Sequence, residues 1–67
     1  METTWRGNLI GMMYSASPRV TRKELADKIG LKKSYITMIL NGHRNPPGAE
    51  ELLTGAFREI MAERGAQ

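Results

Sequence analysis

The feature that most constrains this chain is the run TRKELADKIGLKKSYITMILNG, residues 21–42, which holds two short helical periods separated by a glycine. Thr21 stands three residues before Glu24. In that spacing each side chain can accept the other's backbone N–H, which marks the start of a helix. Val20 and Leu25 occupy the apolar positions that clamp such a start. Leu25, Ala26 and Ile29 then form one apolar stripe, and Gly30 stands where a helix end often takes a positive φ. The pattern predicts a helix over 22–29, about two turns long. Leu31 and Lys32 make the turn. A second period follows, with Ile36 and Leu40 one turn apart and Ile39 beside them, and it predicts a helix over 33–40 ended by Asn41-Gly42. Ser34, Thr37, Met38 and Asn41 fall on its opposite face.

Helices this short cannot bury themselves, so the flanking segments must supply the rest of a core. Upstream, Trp5, Leu9, Met12 and Met13 recur at helical spacing, widened by Ile10 and Tyr14, and predict a helix over 4–16. Ser17-Pro18 ends it, because the residue before proline avoids the helical region. Downstream, Ala49, Leu52, Leu53, Ala56, Phe57 and Ile60 form an apolar stripe and predict a helix over 48–64. Glu50 and Glu51 sit in its first turn, where the helix dipole favours acids. No alternating run of β-branched residues suggests a strand. The expectation is an all-α chain forming one domain over 1–67, with four helices and room for a short fifth.

Charge is distributed unevenly. Residues 19–44 carry seven bases (Arg19, Arg22, Lys23, Lys28, Lys32, Lys33, Arg44) against Glu24 and Asp27, a local net charge of +5. From residue 45 onward Arg58 and Arg64 face four glutamates, a local net charge of −2. A basic middle attracts polyanions, whether nucleic acid or an acidic membrane surface. The membrane reading is disfavoured, since the basic zone lacks the large apolar face that an interfacial helix needs. No apolar run approaches the roughly 20 residues that cross a bilayer. The apolar stretch 9–14 is short for a secretory signal and reads as part of the first helix. With no cysteine and a single histidine, His43, the chain offers poor material for a metal site. A nominal triad of His43, Asp27 and Ser15, Ser17 or Ser34 has no spacing that suggests catalytic geometry, so no enzyme activity is expected.

Residues 21–42 closely resemble the helix-turn-helix of lambdoid phage repressors, Cro proteins and the wider XRE family. The matching residues are Thr21, Glu24, Leu25, Ala26, Ile29, Gly30, Ile36 and Asn41-Gly42, with Arg44-Asn45-Pro46 and a long helix following. The resemblance covers roughly residues 10–60. It implies a lambda-repressor-like DNA-binding domain whose third helix enters the major groove. By position, Lys33, Ser34, Thr37 and Met38 would face bases. Lys33 could donate to guanine, Ser34 could pair with several edges, and Met38 could pack on a thymine methyl. Arg22, Lys32, Tyr35, Asn41 and Arg44 would contact the sugar-phosphate backbone.

The resemblance further implies a small cytoplasmic transcriptional regulator of the repressor type. It would bind a double-stranded DNA operator as a homodimer, without cofactor or small-molecule ligand. The dimer contact is expected on the fourth helix or its C-terminal end, near Phe57 and Met61, with ordinary core as the alternative for both and the favoured reading for Phe57. The alternative is a protein-interaction module on the same fold, such as an antitoxin or adaptor, using the acidic last helix. One departure from the family is Lys32, where relatives commonly carry serine or threonine. Lysine caps a helix poorly and its charge opposes the dipole, a cost that a bound phosphate would offset.

Overall fold

A computed structural model describes residues 4–65. Among them are four helices and no strand: α1 (Trp5–Ser15), α2 (Arg22–Ile29), α3 (Lys33–Leu40) and α4 (Ala49–Glu63). Each agrees with its expected span to within a capping residue at either end, and no fifth helix follows among the described residues.

Local chemistry sets three of the four starts. Thr4 accepts from the Gly7 N–H at 3.2 Å and so caps α1. Thr21 and Glu24 form the full reciprocal box at the start of α2: the Glu24 N–H donates to Thr21 Oγ1 at 3.2 Å, and the Thr21 N–H donates to Glu24 Oε1 at 3.0 Å. Gly48 opens α4 without a side-chain cap, but Glu50 and Glu51 stand in its first turn. Gly30 ends α2 at φ 77°, so the chain reverses towards α3 through a conformation that an L side chain rarely adopts. At the end of α3, Asn41 remains right-handed and Gly42 alone takes the positive φ.

The helices close around one core. α2 packs against both α3 and α4, and α1 packs against α4. Leu9, Leu25, Ile36, Ile39 and Leu53 are its most deeply buried large side chains, with Val20, Leu40 and Ile60 around them. Each such side chain contributes on the order of 1.5–3 kcal/mol of burial free energy. That term dominates the fold, because no charged or polar side chain is buried among the described residues.

The apolar stripes are narrower than their periodicity suggested. Met12 and Tyr14 are 43% and 60% exposed, and only Leu9 and Met13 of α1 are buried. Leu52 is 43% exposed, at the edge of the α4 stripe. Phe57 is only 8% exposed, inside the chain's own core, in agreement with the core reading of that residue; Met61 is half-buried against the same core.

Candidate nucleic-acid interface

α3 has a buried side, Ile36, Ile39 and Leu40, and an outward side. On the outward side Lys33 and Ser34 are exposed, while Thr37 and Met38 are half-buried. The α2–α3 turn is pinned by the Leu31 N–H donating to Ala26 O at 2.9 Å. That bond and the packing of Ile36 fix how α3 is presented beside α2.

The start of α3 differs from the other three. Lys32 makes no side-chain cap, and no acid stands in the first turn. The first N–H groups of a helix have no intrahelical partner and carry the positive end of its dipole. Two exposed lysines, Lys32 and Lys33, add full charges there.

Ion pairing sorts the seven bases of residues 19–44. Lys23 pairs with Asp27 at 2.9 Å, and Lys28 pairs with Glu63 of α4. The Arg19 guanidinium lies over the Tyr14 ring, 5.5 Å from its centroid. Arg22, Lys32, Lys33 and Arg44 form no ion pair among the described residues. Both acids of the zone are engaged, Asp27 with Lys23 and Glu24 with Thr21 and Arg64. Arg22 carries a further mark: its Nε is buried and has no hydrogen-bond partner. Such an orphaned donor costs on the order of 1–3 kcal/mol.

Of the remaining backbone candidates, Asn41 and Arg44 are exposed after α3. Tyr35 is half-buried, packed against the core, and shares an open groove with Leu31, Lys32, Ser34 and Met38. Leu31, 37% exposed, is a groove residue that sequence reasoning had placed only in the turn. His43 is an exposed loop residue.

Two arginines hold this surface in place, and the sequence offered no local signal for either. Arg6 of α1 reaches across to the end of α3. Its Nε donates to Ile39 O at 2.7 Å and its Nη2 to Asn45 Oδ1 at 3.1 Å and Arg44 O at 3.4 Å. Arg64 at the end of α4 donates to Pro18 O and, at 3.0 Å, to Glu24 Oε2. It thereby ties α4 to the start of α2. The Thr21 N–H, and after it Arg64, hold the Glu24 carboxyl below the usual glutamate range, against partial desolvation.

The helix-turn-helix family profile matches residues 19–53, a little over half the chain. This chain belongs to the XRE/lambda-repressor-like helix-turn-helix family. It is a family of DNA-binding regulators, and the all-α arrangement has the corresponding lambda-repressor-like fold. No curated protein and no solved structure gives a significant match. The matched span contains all of α2, α3 and the loop after α3, and so every residue proposed below for DNA contact. No helix among the described residues is long and apolar enough to cross a membrane.

Proposed function

We propose that this helix-turn-helix protein is a sequence-specific double-stranded DNA-binding regulator that represses transcription by occupying an operator. α3 enters the major groove, where Lys33, Ser34, Thr37 and Met38 face base edges. Arg22, Lys32, Tyr35, Asn41 and Arg44 contact the sugar-phosphate backbone. Two copies bind a near-palindrome, each placing one α3 in successive major grooves about one turn of DNA apart.

The observation that carries the reading is the uncapped, acid-free start of α3 with exposed, unpaired Lys32 and Lys33 on it, while Arg22 on α2 and Arg44 after α3 also form no ion pair among the described residues. Of the seven bases of the zone only Lys23 and Lys28 are ion-paired, so Arg22, Lys32, Lys33 and Arg44, and Arg19 over the Tyr14 ring, keep their charge for a polyanion.

The test is selection of bound sites from a random duplex pool, followed by titration of the recovered site over a range of salt. A short near-palindrome is expected. Exchanging Lys33 and Ser34 together for alanine flattens sequence preference. Arg22→Ala weakens binding to every sequence alike and lowers the salt slope by about 0.9 per copy, the value for one neutralised phosphate. Uniformly weak binding with no selected motif, or a double variant that keeps full preference, overturns the proposal. Uniformly weak binding is the result expected of an interaction module.

A further inference from the structure

We infer that the groove beside α3 reads the C5-methyl groups of thymines, and that Leu31 is a specificity-determining residue. The inference rests on the DNA-binding reading above. The groove measures about 510 Å³ and is lined by Leu31, Lys32, Ser34, Tyr35 and Met38. Its surface is largely apolar, although it lies on the most cationic part of the chain. Leu31 is one of only four large apolar side chains left exposed among the described residues, and it sits at the point where α2 hands over to α3. Tyr35 is braced from behind by the core, which gives the groove a firm wall.

Charge identifies the occupant. Residues 31–48 contain no aspartate or glutamate, whereas Lys32, Lys33 and Arg44 are exposed there and unpaired among the described residues. An apolar groove with Lys32 in its wall and Lys33 next in the chain fits a ligand that is apolar at one spot and anionic around it. Duplex DNA presents such a surface in its major groove, where the thymine methyl is the apolar group on the base edges and phosphates flank it. Guanine and cytosine edges placed against Leu31 and Met38 would lose hydrogen bonds to water without replacement, which rejects them. Leu31 and Met38 therefore discriminate by apolar contact, while Lys33 and Ser34 supply the polar contacts nearby.

The experiment uses the duplex recovered by site selection, with each thymine replaced singly by deoxyuridine, which removes only the methyl. Wild-type protein is expected to lose about fourfold in affinity at each contacted position, the factor for burying one methyl-sized group. At one or more of these positions 5-methylcytosine should bind more tightly than cytosine. Leu31→Ala should bind the thymine and uracil duplexes equally at its position, and Leu31→Met should restore part of the discrimination. Far-ultraviolet circular dichroism establishes that each variant is folded. A protein that selects a site yet binds thymine and uracil duplexes alike throughout overturns the groove assignment and leaves the helix-turn-helix reading intact. Unchanged discrimination in folded Leu31→Ala removes Leu31 from the assignment. Failure to select any site overturns both readings.

Discussion

Replacing Arg6 with alanine should destabilise the protein and loosen the loop after α3 in particular. The Arg6 guanidinium donates to Ile39 O at 2.7 Å from a half-buried position, and to Asn45 Oδ1 at 3.1 Å from an exposed one. Ile39 O also accepts from the Gly42 N–H at 3.1 Å, so truncation leaves no orphaned carbonyl. The loss is then one charge-assisted bond at the lower end of its range, about 1.5 kcal/mol, plus a few tenths for the exposed bond. The positive charge at the negative end of the α3 dipole adds a similar few tenths. A total near 2 kcal/mol is a large share of the roughly 3–10 kcal/mol expected for a domain of this size. It corresponds to a fall in Tm of about 8–16 °C. Thermal melts followed by circular dichroism read the size of the effect, and amide exchange reads its location. The His43 and Arg44 N–H groups both donate to Met38 O, at 2.9 and 3.2 Å, within the loop that Arg6 holds. They should exchange faster in Arg6→Ala by more than the global loss of stability explains. Arg6→Lys keeps the charge but not the planar fork, and should recover less than half of the loss. A melt within 2 °C of wild type, or exchange that rises evenly over the chain, would refute the reasoning.

Three further outcomes follow from the packing and the caps. The Glu24 carboxyl is held below its ordinary pKa, so its contribution to stability is complete above the ordinary glutamate range and is lost as the pH falls through and below it. The difference in Tm between wild type and Glu24→Gln should therefore be largest near neutrality and shrink on acidification; a constant difference down to pH 3 contradicts this. Leu53→Ala removes a side chain sealed in the core and should cost about 2–5 kcal/mol by urea unfolding. Its neighbour Leu52→Ala, at an exposed site, should stay within about 0.5 kcal/mol, and equal costs would contradict the assignment of faces. Gly30→Ala meets no steric obstacle but must hold φ near 77°, so it should cost about 1–2 kcal/mol in the same assay. No loss at Gly30 would mean that the turn relaxes.

Where chemistry is local, the fold could be read directly. The Thr21–Glu24 box, Gly30 and the Ile36–Leu40 spacing act within one or two turns, and α2, α3 and the turn between them lie where those residues place them. The faces of α1 and α4 were less legible. Apolar residues at positions 5, 9, 10, 12, 13 and 14 occupy more than half the circumference of α1, so periodicity cannot say which strip turns inward. Packing of α1 against α4 decides it, leaving Met12 and Tyr14 outside and drawing Phe57 into the monomer's core. Arg6 and Arg64 act on carbonyls and carboxylates 33 to 46 residues away in sequence, beyond any local pattern. The outward face of α3 was legible because its buried residues fix its exposed ones. The groove was not, because Leu31 read as turn material until α2 and α3 were placed side by side.

The proposed function requires that the outward face of α3 be the surface that meets DNA. Amide chemical-shift mapping during titration with the selected duplex tests this most directly. The largest changes should fall on residues 31–38, on Arg22 and on Asn41 to Arg44, with Glu50, Glu51 and Arg58 of α4 nearly unmoved. A map centred on α4 or on the Met12 side of α1, with residues 33–38 silent, would contradict it.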